Sequence, residues 1–422
     1  MILGLKTSLA RNAGWMLLGQ GAAYSLRVIS FVVIARLLGV VQYGVVVGAF
    51  ALVNLVAQYS RLGTGTLLIR YVAPDHSRCA AYWGNSVLVT LFLGVGVTLL
   101  LHLVAPHVID PASAAIVAFT AVGGCVCEQI AIGATQVFSA LQIMRTAAWL
   151  AQLTSMLRTI TAIGLLIELH HATARQWAIA SMLASAVAAG VCVTVVTGRL
   201  GWPQFTPHLV WKHGREGVGY AFASSTVNAY DDLDKTMLSH YGMSEANGIY
   251  GMAYRVIEMG TLPLASILLA AEPRLFQIAA SGAGPVISLG HRLLKRASLV
   301  SVACALCMFV AAPLIPLIAG PGFANAVVAL RWLCIIPIFR SIHWTMGSVL
   351  TSIGLQRYRT LAQITVVILN YCLNLWLIPK FGWHGAAWAS LATDGTLAVL
   401  TWCLAENIRP VIQRAVVESP CS

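Results

Sequence analysis

Charged residues are scarce in this chain of 422 residues. Only 9% of its residues are Asp, Glu, Lys or Arg, and the mean hydropathy is +0.81. Soluble domains contain roughly one-quarter charged residues. The composition therefore excludes an ordinary soluble globular protein and predicts a polytopic membrane protein.

Motifs for nucleotide, metal and acyl chemistry are also missing. The sequence has no GxxxxGK[ST] phosphate loop, no HExxH, no EF-hand loop and no GxSxG elbow. A CxC at Cys125 and Cys127 and a CxxC at Cys304 and Cys307 lie in apolar stretches without partner ligands, unlike a zinc site. We expect no cofactor, no metal and no catalytic residue, and energy from an H⁺ or Na⁺ gradient, from the cargo's own gradient, or from a separate subunit.

Long apolar stretches fill most of the chain. A membrane-spanning helix needs about 20 apolar residues, and these stretches predict an all-α fold of about twelve spans. The predicted spans are 14–34, 43–65, 82–105, 113–138, 148–168, 176–197, 217–241, 247–270, 297–319, 326–350, 361–379 and 385–404.

The distribution of basic residues predicts the orientation of the chain. Lys and Arg accumulate in cytoplasmic loops, and with both termini in the cytoplasm the outer loops keep only Arg36, Arg175 and Lys380. Much of the net charge of +12 is then topological, so we expect no nucleic-acid partner, although HRLLKRA at 291–297 could touch anionic headgroups. The outer loops are too short for an extracytoplasmic reaction domain, so we expect no enzyme.

Two sequence echoes indicate an internal repeat. ALQIMRT at 140–146 matches GLQRYRT at 354–360, and LLGVVQYGVVVGAF at 37–50 is similar to HYGMSEANGIYGMAY at 240–254. Both echoes join equivalent turns of two halves of six helices each, and an even number of helices keeps the halves in the same orientation. We predict two six-helix lobes related by a parallel pseudo-two-fold axis around a central cavity. The predicted boundaries are 1–197, a cytoplasmic linker at 198–216, and 217–422.

A charged run between Asn228 and Glu258 lies where two spans are predicted. Charged side chains in a membrane are costly and normally face a protein interior or a watery path. Asp231 with Lys235, and Arg255 with Glu258, could neutralise one another or line a transport route. The carboxylates proposed for ion coupling or charge balance are Glu128, Asp231, Asp234 and Glu258.

Isolated polar residues mark other predicted spans. Arg27, Arg158 and Arg340 have no carboxylate one turn away in their own helices, so each needs a partner across the bundle or an anionic ligand. Asp394 could cap a neighbouring helix or take part in coupling, and Asn370 and Asn374 could form interhelical hydrogen bonds.

The residues themselves resemble a known family. The segment RNAGWMLLGQGAAYSLRVISFVVIARLLGVVQYG at 11–44 is similar to the first helix and turn of bacterial flippases for lipid-linked oligosaccharides, which belong with the multidrug extruders to the multidrug/oligosaccharidyl-lipid/polysaccharide exporter superfamily. Asp234, Lys235, Gly242, Gly248 and Tyr250 match the family's second-half pattern. The doublet Asp231 and Asp232 departs from it, because apolar or hydroxyl residues are more usual there.

The resemblance implies a multi-pass inner-membrane protein that carries a polyprenyl-pyrophosphate-linked oligosaccharide, an O-antigen or exopolysaccharide unit, by alternating access through a cationic lumen. Its partners would be the lipid-linked cargo and the bilayer, and could include a glycan polymerase and glycosyltransferases. The residues proposed to contact the headgroup are Arg27, Arg158, Lys235, Arg255 and Arg340. A multidrug extruder of the same superfamily, or a membrane-embedded glycan polymerase or transferase, remains an alternative.

Overall fold

The computed structural model describes the backbone of residues 2–279 and 282–417, and the side chains of residue 26 and of residues 28–222, 224–226, 228–279 and 282–407. Within these ranges the chain is helical with no strand, which confirms the all-α prediction. The α-helices are α1 Ile2–Ala57, α2 Thr64–Val72, α3 Cys79–Val108, α4 Pro111–Ala121, α5 Glu128–Ala140, α6 Met144–Leu169, α7 Ala174–Leu200, α8 Pro207–His240, α9 Ser244–Gly260, α10 Leu262–Ala279, α11 Ala283–Ala311, α12 Leu314–Ala319, α13 Ala324–Leu333, α14 Ile336–Ser352, α15 Gln356–Phe381 and α16 Trp383–Val417.

These helices make the chain a multi-pass membrane protein. Each of the twelve predicted spans overlaps one or more of them. By length and composition, eight helices of the described residues could cross a membrane, or nine if Pro321–Leu333 and Ile336–Ser352, bent by 45°, form one span. The count of twelve stays a prediction.

A single residue breaks α1 between its first two predicted spans. Gly39 has φ 67° and ψ 171°, which lies outside helical geometry. Side chains with a Cβ rarely adopt a positive φ, so glycine permits this break without strain. The turn predicted between 14–34 and 43–65 is therefore present as a kink at Gly39, where α1 divides into two helices.

The predicted linker 198–216 is mostly helical, which differs from the expected loop. α7 continues to Leu200 and α8 begins at Pro207, a residue well suited to a helix N-terminus. The short connection is fixed to α3, because the Asn85 side chain donates to Thr206 Oγ1 over 2.9 Å and accepts from the Thr206 amide over 2.9 Å. The Pro and Gly residues in 198–216 correctly indicated a connection there. The non-helical part, 201–206, is less than half as long as the predicted linker.

Contacts within the chain divide it into two compact units, Met1–Gly248 and Ile249–Ser422. The first unit includes α8, which packs along α1. The boundaries 1–197 and 217–422 rest on the repeat and stay a prediction. The first unit has a core around buried Trp83 and Phe138, and the second has one around Leu264 and Val286.

Glycines of the two echoing segments meet in a reciprocal contact within the first unit. A Cβ at Gly44 would overlap the carbonyl oxygen of Ser244, four residues before Gly248, and a Cβ at Gly248 would overlap the carbonyl oxygen of Val40, four residues before Gly44. Gly39 and Gly242, which precede these positions, both have positive φ. A contact that each partner makes in the same way is the property of a two-fold-related interface, so this geometry supports the predicted repeat.

Candidate functional site

The charged run places an ion pair on the side of α8 that packs against α1. Lys235 Nζ donates to Asp232 Oδ1 over 2.8 Å and to the main-chain carbonyl oxygen of Asp231 over 2.6 Å. The other carboxylate oxygen of Asp232 accepts a hydrogen bond from Asn54 Nδ2 of α1 over 2.5 Å. Asn228 Nδ2 reaches the main-chain oxygen of Asn54 over 3.0 Å. Asp232 therefore joins the Lys235 ammonium to α1.

The geometry within α8 adds a partner that the four-residue spacing did not give. That spacing suggested Asp231 as the partner of Lys235, and the Lys235 ammonium pairs with Asp232, three residues away. Asp231 holds the ammonium through its backbone, and Asp234, which is buried, accepts from the Lys235 amide over 2.9 Å. The acidic doublet thus supplies both a carboxylate and a carbonyl to one lysine.

Polar contacts at the end of α8 fix this cluster in place. Asn247 Nδ2 donates to the backbone oxygens of Lys235 over 3.0 Å and Gly44 over 3.3 Å. Ser239 Oγ donates to Asp110 Oδ2 over 2.6 Å, and the other oxygen of Asp110 caps the N-terminus of α4. Because these groups are buried, their hydrogen bonds hold the register of α8 against α1 and α4.

A second pair lies in the same unit beside an irregular helix. Arg158 Nη2 of α6 lies 3.0 Å from Glu128 Oε2, and Arg158 Nε donates to Ser185 Oγ of α7 over 3.0 Å. Glu128 directly follows a π-helical stretch, Val122–Cys127, between α4 and α5. Such widened turns are frequent at functional sites. Arg158 thus has a carboxylate partner from another helix, which is one of the two outcomes expected from the sequence.

The second unit contains a buried cluster on α9, α14 and α16. Arg340 Nη2 donates to the Tyr254 hydroxyl over 2.9 Å, and Arg340 Nε lies 3.9 Å from Asp394 Oδ1. His343 Nε2 lies 3.3 Å from the same carboxylate oxygen. The Arg340 guanidinium also lies over the rings of Tyr254 and Trp344, at 5.6 and 5.7 Å from their centroids. Planar guanidinium groups suit such stacked, hydrogen-bonded positions.

Asp394 is the acidic residue of this second cluster. Only 1% of the residue is exposed, and its Oδ2 has no hydrogen-bond partner among the described residues. Next to it, Thr393 lies 3.5 Å from Asn370 Nδ2, and Asn374 Nδ2 donates to Asn370 Oδ1 over 2.8 Å. Asp394 therefore belongs to an interior ionic group rather than to a helix cap. Asn374 bonds along its own helix, and Asn370 makes an interhelical contact with Thr393 of α16, of the kind expected from the sequence.

The remaining proposed residues differ in their surroundings. Arg255 Nη1 pairs with Glu258 Oε2 over 2.9 Å on the exposed side of α9. The side chain of Arg27 lies outside the described residues. The structure thus brings Lys235 to Asp232, Arg158 to Glu128, and Arg340 to Asp394 and His343, in separate groups. Asn54 was not among the candidate residues, and pattern analysis within a single helix could not have found its contact with Asp232.

The chemistry of these groups is that of cations already matched by carboxylates. An anionic ligand that binds one of these cations competes with its carboxylate partner for the charge. Within the described residues, no group of three or more His, Cys, Asp and Glu side chains is arranged to hold a metal ion.

Comparison with known proteins gives a family and a fold. A family model described as "Polysaccharide biosynthesis protein" matches residues 9–279. A multidrug resistance MATE transporter of the MOP superfamily in its inward-facing conformation has a TM-score of 0.77 at 13% identity, over 93% of this chain and 95% of that one. The MATE multidrug transporter DinF-BH, solved as a complex, has a TM-score of 0.65 at 17% identity, over 96% of both chains. An outward-facing MATE transporter has a TM-score of 0.64 at 13% identity, over 96% of both chains. No curated protein matches.

Proposed function

Because the chain belongs to the polysaccharide biosynthesis protein family, we propose that it is a flippase for a polyprenyl-pyrophosphate-linked oligosaccharide in the bacterial cytoplasmic membrane. The cargo would be an O-antigen or exopolysaccharide repeat unit. The sugar and pyrophosphate headgroup would cross through the protein while the lipid tail stays in the bilayer. The fold, shared with transporters solved in inward-facing and outward-facing conformations, is compatible with alternating access.

The observation that carries the proposal is the set of basic side chains among apolar helices of a member of this family. Arg158, Lys235 and Arg340 are wholly or largely removed from solvent, at side-chain exposures of 21%, 8% and 5%. Charged groups at such positions are expensive, so a cationic route for an anionic cargo gives them a purpose. A pyrophosphate offers the paired oxygens that guanidinium and ammonium groups bind well. Arg27 and Arg255 remain proposed contacts of the same headgroup.

The carboxylates support a second element of the proposal. Glu128, Asp231, Asp234 and Glu258 would balance charge or couple transport to H⁺ or Na⁺. Glu128 and Glu258 are the counter-ions of Arg158 and Arg255, and Asp232 and Asp394 are those of Lys235 and Arg340, which limits the cost of a basic interior when no cargo is bound.

A multidrug extruder is the second candidate, since the solved structures with this fold are multidrug transporters. An organic cation would be held by carboxylates, and removing a basic side chain would leave its export largely intact. An enzyme that polymerises or transfers the glycan is the third candidate, and it would change the chain length of a glycan without being needed for its translocation.

The deciding experiment uses the full-length protein in vesicles that contain a fluorescent lipid-linked oligosaccharide. Translocation is read from the loss of labelled headgroup accessible to an added glycosidase, and an organic cation is tested in parallel. We expect the wild-type protein to move the lipid-linked sugar, and Arg340→Ala to reduce that rate at least about tenfold, as for loss of a charged contact. Transport of the cation alone, with no effect of Arg340→Ala, would refute the flippase assignment. An extended glycan product would instead indicate an enzyme.

A further inference from the structure

The carboxylate of Asp232 holds two groups at once. One oxygen receives the Lys235 ammonium over 2.8 Å, and the other receives the Asn54 amide of α1 over 2.5 Å. Side-chain exposures of 8% for Lys235 and 11% for Asp232 place the pair away from water. A change at the ammonium is therefore transmitted to α1 through a single side chain.

An anion that approaches Lys235 meets a cation that is already neutralised. The ammonium has three donors, and the carbonyl oxygen of Asp231 takes one of them without adding charge. The diphosphate of the proposed cargo carries two negative charges, one on each phosphate, against the single charge of a carboxylate, so it can displace Asp232 while the carbonyl contact remains. The displaced carboxylate would then be a buried charge without its cation, which is strongly unfavourable in a protein interior.

Relief of this unfavourable charge requires Asp232 to move. Its carboxylate can regain solvation or another donor only by leaving the position between Lys235 and Asn54. Near this point α8 and α1 are also joined by Asn228 to the Asn54 backbone over 3.0 Å and by Ser225 Oγ to the Leu55 backbone over 2.6 Å. Departure of Asp232 removes the ionic member of this set and leaves neutral hydrogen bonds of smaller energy.

We propose that Asp232 competes with the phosphate groups of the cargo for Lys235, and that its displacement loosens the contact between α8 and α1. The inference rests on the proposed function, because it takes the cargo to be a phosphate-bearing lipid. It assigns a role to the acidic residue that departs from the family pattern. Through Asp232, binding of the cargo is coupled to opening of the contact between α8 and α1.

The first test measures binding of inorganic pyrophosphate to the purified full-length protein in nanodiscs. Asp232→Asn removes the competing charge and keeps an oxygen that can accept from Asn54. We expect its affinity for pyrophosphate to rise at least about tenfold, since close charge pairs couple by about 1.5 kcal/mol or more. Asp231→Asn removes the same charge one residue away and keeps the backbone carbonyl, so it should produce a much smaller gain. An equal gain in both variants, or no gain in Asp232→Asn, would overturn the proposal.

Lys235→Met separates failure of this inference from failure of the proposed function. If Lys235→Met abolishes pyrophosphate binding but Asp232→Asn does not strengthen it, the phosphate site stands and competition by Asp232 is wrong. If pyrophosphate binding does not depend on Lys235, the inference fails while the vesicle transport assay still decides the function.

The second test follows the helix contact in the wild-type protein and needs no variant. Hydrogen exchange of backbone amides is measured for residues 50–57 and 225–235 with and without pyrophosphate. The proposal predicts faster exchange in both segments when pyrophosphate is bound, because the ionic contact between the helices is lost. Unchanged or slower exchange at saturating pyrophosphate would contradict it.

Discussion

The charged run contains two ion pairs with the same spacing and opposite surroundings. Lys235 and Asp232 are three residues apart and 2.8 Å from each other, with 8% and 11% of their side chains exposed. Arg255 and Glu258 are three residues apart and 2.9 Å from each other, with 44% and 38% exposed. Sequence spacing is the same and distance nearly so, while the exposed fractions of the two pairs differ several-fold.

The difference in burial determines how much each ion pair contributes to the free energy of unfolding. An exposed pair in water is stabilised little, since each partner is well solvated alone. In a buried pair the partners depend on each other, because either charge left alone cannot recover its lost solvation. A change at Lys235 or Asp232 therefore affects the fold and the contacts of α8, whereas a change at Arg255 or Glu258 leaves them almost unchanged.

Lys235→Met should have the largest effect on stability of the variants compared. It should lower the free energy of unfolding by about 3–5 kcal/mol, since Asp232 remains as a buried charge with Asn54 as a neutral donor. Thermal unfolding of the detergent-solubilised protein measures the change. The double variant Lys235→Met with Asp232→Asn serves as the control, and it should recover much of the loss because both charges of the pair are removed together. If the double variant were less stable than Lys235→Met, the uncompensated charge of Asp232 would not be the cause of the stability loss.

Arg340→Met extends the comparison to the second unit. Asp394 is buried, as Asp232 is, but keeps His343 Nε2 at 3.3 Å after Arg340 is removed. We expect a loss of about 3 kcal/mol, at the lower end of the range for a broken buried pair. The same unfolding measurement applies, and His343→Ala in the Arg340→Met background should add a further loss. Equal stability of the single and double variants would show that His343 does not support the carboxylate.

The helices could be predicted from the sequence because they depend on local composition. The apolar stretches around 82–105 and 361–379 were found within α3 and α15, since roughly twenty apolar residues have few other structures open to them in a membrane. The echo at 37–50 and 240–254 predicted a repeated turn. Its reciprocal contact could not be foreseen, because it depends on how two distant segments pack.

The partners of the charged residues could be predicted only in part. Sequence analysis identified Arg158 and Arg340 as residues that needed a partner from another helix, and it identified Glu128 as a candidate carboxylate. It could not join Arg158 to Glu128 or Arg340 to Asp394, because helix rotation and neighbours are set by tertiary packing. It could not choose between Asp231 and Asp232 as the residue that shares a helix face with Lys235, since both spacings are compatible with one face.

Glu128→Gln tests a pair of intermediate exposure. Arg158 and Glu128 are 21% and 33% exposed, and Ser185 remains bonded to Arg158 when the carboxylate is neutralised. The free energy of unfolding should fall by about 1–2 kcal/mol, between the values for the buried and the exposed pair. Thermal unfolding at low and high salt checks both the size and the partial screening. A loss as large as that of Lys235→Met would mean that side-chain exposure does not determine how much each pair contributes to the free energy of unfolding.

Arg255→Ala should have the smallest effect of the series. With 38% of its side chain exposed, Glu258 would be solvated without Arg255 on a water-filled transport route of the proposed kind, so the loss in unfolding free energy should be below about 0.5 kcal/mol. At about 1 M salt, where the screening length is about 3 Å, the difference from wild type should fall further. Glu258→Gln is the matched control and should behave in the same way. If Arg255→Ala nevertheless slows translocation of the lipid-linked sugar, the residue acts on the cargo rather than on the fold, because its structural contribution is too small to explain the loss.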